Sequence, residues 1–132
     1  MSGSANRETV ERYMEAFDRL DHAAVLACLT DDVEWVIPGH VHLHGKAEFD
    51  GEIENDAFTG RPAIAVTRMT EAGDVVVAEG TVSCAFRAGG MLNAVFCDVF
   101  EMRDSKIRKL TSYVVPLPEP SAEPGSPAPP AE

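Results

Sequence analysis

The chain has 132 residues, is 45% hydrophobic and carries a formal net charge of −11. This length suits one domain with one core, and no apolar run approaches the roughly 20 residues that a bilayer span needs. Nucleic-acid and anionic-membrane binders cluster Lys and Arg to neutralise phosphates, so the charge argues against both partners. Because residues 1–6 show no signal-peptide core, we expect a cytoplasmic protein.

The three cysteines, Cys28, Cys84 and Cys97, form an odd number, contain no CxxC pair and each lie in an apolar stretch. Small buried thiols are typical of such positions. The sequence therefore predicts neither a disulfide framework nor a cysteine zinc site, and we expect no cofactor.

Helical patterns dominate the first sixty residues. Asn6 is a plausible N-cap for a helix over 7–20, and Asp21 can cap a shorter second helix that ends at 30–32. A third helix is expected from Gly45 to near Gly60. Its acidic residues between 48 and 56 read as a solvated helix face, although an acidic interaction surface is an open alternative.

Strand patterns dominate the rest. A short strand is expected over 33–37, followed by a histidine-containing loop, and four β-rich stretches follow at 62–70, 74–87, 91–103 and 107–115. Short turns between them indicate an antiparallel meander. The predicted fold is α+β, with three N-terminal helices packed into a curled antiparallel sheet that forms a cone over residues 1–116. The Pro-rich segment 117–132 is expected to be disordered.

Strand alternation around Asp98 separates two apolar faces. One face, expected to line the interior of the cone, holds Ala94, Phe96, Phe100 and Met102, and the opposite face holds Val95, Cys97 and Val99. In a monomer, the apolar face with Val95, Cys97 and Val99 would be exposed to solvent. We therefore expect an isologous homodimer joined through the outer face of the sheet.

The inferred interior has apolar walls with a few polar groups, a combination typical of a small-molecule site. Tyr13, Asp98 and Ser112 are the polar groups. A purely structural role for Tyr13 and Asp98 stays open, since both can be satisfied core residues. The expected substrate-binding residues are Trp35, Ile37, Phe96, Phe100, Leu110, Ser112 and Val114.

Three histidines alternate in the segment GHVHLHG: His40, His42 and His44. Imidazoles on one side of an extended segment can bind zinc or supply a general base. We favour a general-base role for His40 or His42 and assign no metal site.

Three stretches carry a resemblance to a known family: YMEAFDRLDHAAVLACLTDDVEWVIPG, LHGKAEF and FCDVFEMRDSKIRKLTSYVVPL. In this order and spacing the chain resembles the nuclear transport factor 2-like superfamily, in its branch of SnoaL-like polyketide cyclases and ketosteroid isomerases. The resemblance covers about residues 7–117. It implies a cone-shaped domain, often dimeric, that holds a small ligand.

The same resemblance implies roles for individual residues. Tyr13 falls where ketosteroid isomerases place the tyrosine of their oxyanion hole, and Asp98 where they place its partner carboxylic acid. The isomerase's catalytic aspartate falls on Ile37, which cannot take a proton. The Asp-Arg-Asp arrangement of the superfamily's epoxide hydrolases falls on Val82, Gly80 and Ser112, which excludes that chemistry.

Together, these features predict a cofactor-free enzyme that isomerises or cyclises an apolar carbonyl compound by proton transfer. Tyr13 and Asp98 would polarise the carbonyl, with His40 or His42 as the base, or Asp98 would itself ionise and act as the base. The alternative is a ligand-binding or accessory protein with the same pocket and no catalysis. A third possibility is an interaction module that uses the acidic helices.

Overall fold

A computed structural model describes residues 4–118, which form one layer of helices against one curled, unclosed sheet. The helices are α1 (Ala5–Asp18), α2 (His22–Ala27) and α3 (Gly45–Ile53). The strands are β1 (Leu29–Ile37), β2 (Val41–His44), β3 (Phe58–Ala72), β4 (Val75–Phe86), β5 (Met91–Arg103) and β6 (Lys106–Pro116). The α+β class is confirmed, but only two helices precede the sheet, because α3 follows β2.

The helix ends follow local capping. α1 begins earlier than expected because Ser4, not Asn6, is its N-cap and accepts a hydrogen bond from the Arg7 amide at 3.1 Å. Asp21 caps α2 as predicted. α3 ends at Ile53, well before the expected Gly60, and the Asn55 side chain then accepts a hydrogen bond from the Ala57 amide, which makes a turn into β3.

The sheet has the order β2-β1-β6-β5-β4-β3. The predicted antiparallel meander is confirmed for β3 to β6, but β1 pairs with β6 in parallel, so the sheet is mixed. The expected histidine loop is the edge strand β2, which pairs antiparallel with β1. In the tight turn between β5 and β6, Asp104 and Ser105 have φ values of 52° and 62°, as a two-residue hairpin turn requires.

The core lies between the helices and the inner face of the sheet. Its largest fully buried side chains include Phe49 from α3, Phe100 from β5, and Ile107 and Leu110 from β6. The predicted alternation of β5 is confirmed, because Ala94, Phe96, Asp98, Phe100 and Met102 are buried and the residues between them are more exposed.

The outer face of the sheet keeps large apolar side chains in solvent. Val95 is 37% exposed, Tyr113 50% and Val115 57%. These three residues and their neighbours Cys97 and Val99 define what we call the outer apolar face.

The predicted tail falls largely outside the structure: of residues 117–132, only Leu117 and Pro118 are described, and the Leu117 amide donates a hydrogen bond to the Asn93 carbonyl at 2.7 Å. Within residues 4–118, no helix is long and apolar enough to cross a membrane.

Candidate functional site

Asp98 is the one acidic side chain buried in the core among the described residues. It lies in the middle of β5 with its side chain on the inner face, between Phe96 and Phe100, and is 9% exposed. Burial disfavours the charged carboxylate and raises the pKa of Asp98 to about 7. The carboxyl group therefore exchanges protons in the neutral pH range.

Ser112 and Trp35 form a short chain of polar groups that leads to Asp98. Ser112 of β6 lies opposite Asp98 in the strand register, and its hydroxyl partly offsets the rise in the pKa of Asp98. The Trp35 indole Nε1–H donates to the Ser112 oxygen at 3.0 Å. Since that oxygen accepts from Trp35, the Ser112 hydroxyl proton can point to the carboxyl group.

Tyr13 reaches the same interior from α1. It is 2% exposed, and its ring contacts Phe100 edge-on, with ring centroids 5.3 Å apart. Burial raises the pKa of Tyr13 well above its ordinary value, and the nearby Asp98 carboxylate raises it further. Tyr13 is therefore a hydrogen-bond donor, not a base, at neutral pH.

Most of the residues predicted to form the apolar walls of the site are buried in the interior. Trp35, Phe96, Phe100 and Leu110 are buried around Asp98. Ile37 packs at the periphery of the core, whereas Val114, expected on the inner face, is 40% exposed.

Sequence reasoning missed Phe49 as a wall residue. Its ring stacks on Trp35 with centroids 4.4 Å apart, and it meets Tyr13 edge-on at 6.2 Å. The four-residue spacing of Phe49 and Ile53 indicated the buried face of α3, but no local signal indicated which strand that face would meet.

The histidines of the segment GHVHLHG do not lie in the interior beside Asp98. Trp35 pairs with Leu43 in the β1–β2 register, and Leu43 packs toward the core, so His42 and His44 lie on the opposite, exposed face. His40 is exposed in the turn after β1. The structure thus joins Tyr13, Asp98 and Ser112, and separates His40 and His42 from them.

Two depressions lie outside the cone. One, of about 360 Å³, is on the outer apolar face and is lined in part by Val95, Cys97 and Tyr113; the other, of about 400 Å³, lies between α1 and β3. Neither is lined by Asp98 or Tyr13. We place the candidate small-molecule site inside the cone, where the buried polar groups converge, and not at these open depressions.

The positions that resemble those of the epoxide hydrolase site hold no charged group. Val82 and Gly80 of β4 pair with Ala94 and Phe96 of β5. A Cβ atom at Gly80 would lie 2.0 Å from the Ala65 carbonyl oxygen, so the close approach of β3 leaves no room there for any larger side chain.

A curled sheet packed against three helices, with a buried carboxyl group and a tyrosine in its interior, defines the α+β fold of this chain. Residues 10–110 match the model of the SnoaL-like domain, and the chain belongs to this family. No protein of curated function matches the chain significantly.

Solved structures with the same fold are numerous. A nuclear transport factor 2-like protein of unknown function from Burkholderia pseudomallei is 24% identical, with a TM-score of 0.76 over 83% of this chain and 90% of that one. A candidate polyketide cyclase from Xanthomonas campestris is 26% identical, with a TM-score of 0.75 over 83% and 89%. An epoxide hydrolase-like protein of Mycobacterium tuberculosis is 22% identical, with a TM-score of 0.72 over 83% and 82%.

Proposed function

We propose that this protein catalyses cofactor-free proton transfer on an apolar carbonyl compound, as an isomerase or cyclase, with Asp98 as the proton-transfer group and Tyr13 as the hydrogen-bond donor. The single observation that carries the proposal is the burial of Asp98, which raises its pKa to about 7. An acid-base catalyst works best when its pKa lies near the working pH.

Each residue has a defined part in the step. The Asp98 carboxylate takes the proton from the carbon next to the substrate carbonyl. The electron pair of that C–H bond moves into the new C=C bond, and the carbonyl π electrons move to the oxygen. Tyr13 donates a hydrogen bond to the resulting enolate oxygen. When the substrate has a C=C bond next to that carbon, the enolate is conjugated with it as a dienolate. Protonated Asp98 then returns the proton to the far end of the dienolate, the carbonyl re-forms, and the C=C bond has moved into conjugation with it, which completes an isomerisation and leaves the enzyme unchanged.

Several contacts support Asp98 over the histidines as the base. His42 is on the exposed face of β2, and its Nε2 lies 3.3 Å from the carboxylate of Glu34, which also points away from the cone. The Ser112 hydroxyl accepts a hydrogen bond from Trp35, and it can orient the Asp98 carboxylate and stabilise its negative charge.

The apolar walls of the interior suit an apolar substrate. The 26% identical Xanthomonas protein, a candidate polyketide cyclase, fits this class of substrate.

A second function is favoured by two other observations: non-catalytic binding of the same class of ligand. Ile37 falls where, by the resemblance, the isomerases place their catalytic aspartate, and Val33 and Trp35, the buried residues before it on β1, cannot act as a base either. In that case Asp98 and Tyr13 would bind the ligand oxygen without transferring a proton.

We also propose that two copies associate through the outer apolar face. Val95, Tyr113 and Val115 would otherwise expose apolar area on one contiguous surface, and the 360 Å³ depression between them gives a partner a place to pack.

Solvent deuterium exchange distinguishes catalysis from binding. The full chain is incubated in D2O with a panel of apolar ketones, and wash-in next to the carbonyl is followed by NMR. Catalysis predicts protein-dependent wash-in that Asp98→Asn abolishes and Tyr13→Phe lowers by about tenfold or more. Matched controls are Asp74→Asn in an exposed turn and Tyr113→Phe on the outer face, which should leave the rate unchanged. Saturable ketone binding without wash-in would support the binding protein instead.

A further inference from the structure

Outside the cone, His42 and His44 of β2 and Glu34 of β1 bring three metal-binding side chains together. One donor atom from each lies within 4.8 Å of the others. From this geometry we infer that the three residues form a binding site for a divalent transition-metal ion of the zinc type, on the face of the sheet opposite to Asp98.

The strand geometry builds this cluster. His42 and His44 are two residues apart on one strand, so both side chains point to the same face, and their rings lie 4.4 Å apart. Glu34 lies directly opposite His44 in the β1–β2 register. The three side chains therefore converge without any change in the backbone.

The donor-atom distances around Glu34 are compatible with a bound metal ion. The Glu34 Oε2 atom lies 3.3 Å from His42 Nε2 and 3.5 Å from His44 Nδ1. In a tetrahedral zinc site with bonds of about 2.1 Å, neighbouring donor atoms are about 3.4 Å apart. Two imidazoles and one carboxylate also form a donor set that zinc and similar ions prefer, with a fourth position left for water.

Further contacts hold the ligands in place. Leu43, between the two histidines, packs against the core and fixes the rotation of β2. The backbone amide of His44 donates to Glu48 Oε1 at 2.7 Å, which anchors the junction of β2 and α3. A bound ion would join the edge strand β2 to β1. Since Asp98 is on the other face of the sheet, the ion would stabilise this edge and take no part in the chemistry of the cone.

The test is calorimetric titration of the chelator-treated, untagged full chain with Zn²⁺, supported by the visible spectrum of its Co²⁺ form. The site predicts one ion per chain, a tetrahedral cobalt spectrum and a higher melting temperature with Zn²⁺. His42→Ala, His44→Ala and Glu34→Gln should each weaken Zn²⁺ binding by tenfold or more.

His40→Ala is the matched control, because His40 lies in the same segment and is exposed but is outside the cluster. It should bind Zn²⁺ like the wild type. All the variants alter exposed or half-buried side chains, and circular dichroism checks that they fold. Absence of Zn²⁺ binding at micromolar concentrations would overturn the inference, as would binding that the double variant His42→Ala/His44→Ala leaves unchanged.

Discussion

Ser112 lies directly opposite Asp98 on the neighbouring strand, and both side chains are buried on the inner face of the sheet. Ser112 also accepts a hydrogen bond from Trp35, so its one hydroxyl proton is available to the carboxylate. The Ser112 hydroxyl is therefore placed to lower the pKa of Asp98. Burial outweighs that partner, and the pKa of Asp98 stays near 7.

The raised pKa of Asp98 predicts a pH-dependent stability. The folded state holds this proton up to about pH 7, whereas the unfolded chain loses it near its ordinary value of 3.8. Between these pH values the folded state binds more protons, so the free energy of unfolding falls as the pH rises. Asp98→Asn should remove this slope, which amounts to on the order of 3 kcal/mol between pH 5 and pH 8. Urea unfolding at pH 5 and pH 8 measures it. Equal slopes in the wild type, Asp98→Asn and the control Asp74→Asn would contradict the buried ionisation.

Phenolates imitate the enolate that the proposed reaction forms, and a nitrophenol that is ionised at pH 6 is a suitable probe. We expect its affinity for the wild type to fall by about tenfold or more between pH 6 and pH 8, because ionised Asp98 repels it. Asp98→Asn should bind it at both pH values, since an amide also donates, and Asp98→Leu should bind it weakly at both. If all three proteins bind the phenolate equally weakly at every pH, Asp98 is structural.

The outer apolar face predicts a homodimer at micromolar concentration. Val99→Asp places a charge in the middle of this face and should give a monomer in sedimentation velocity. Ala23→Asp, which is exposed on α2 on the helix side of the sheet, is the control and should remain dimeric. A monomeric wild type would refute the proposed association.

The close packing around Gly80 predicts that Gly80→Ala and Gly51→Ala change the stability of the protein in opposite directions. Gly80→Ala should lower the melting temperature by several degrees, because its Cβ atom would lie within 2.9 Å of the Ala65 carbonyl carbon as well as clashing with the oxygen. Gly51→Ala, in α3 with open space around it, should instead stabilise by about 0.5 to 1 kcal/mol. Thermal unfolding measures the melting temperatures of both variants. Equal melting temperatures would contradict the prediction and show that β3 can move away from β4.

The sequence predicted the features that depend on local periodicity. The alternation around Asp98 identified the buried face of β5, and Asp21 marked the start of α2. It did not predict β2, because His42 and His44 read as a polar loop although Val41 to His44 alternate with a strand period. The parallel pairing of β1 with β6 joins segments about seventy residues apart, and no local signal encodes it.

In the candidate site, too, the sequence predicted what local patterns encode and missed what depends on strand pairing. Tyr13, Asp98 and Ser112 are all buried in the interior, where the resemblance and strand alternation placed them. The sequence left His40, His42 and Asp98 open as the general base, since it does not reveal which face of an edge strand points to the core. The Trp35–Ser112 hydrogen bond joins strands that are distant along the chain. It depends on the strand pairing of the folded protein, so the sequence alone could not predict it.

The most direct test of the proposed function is the pH profile of deuterium wash-in into the ketone that the wild type exchanges fastest. If Asp98 is the base, the rate should rise with pH as the carboxyl ionises, with a midpoint near 7, and then level off. Asp98→Asn should show no protein-dependent rate at any pH, while Asp74→Asn should reproduce the wild-type profile. Wash-in that persists in Asp98→Asn, or that is absent from the wild type between pH 5 and pH 9 for every ketone of the panel, would contradict proton transfer by Asp98.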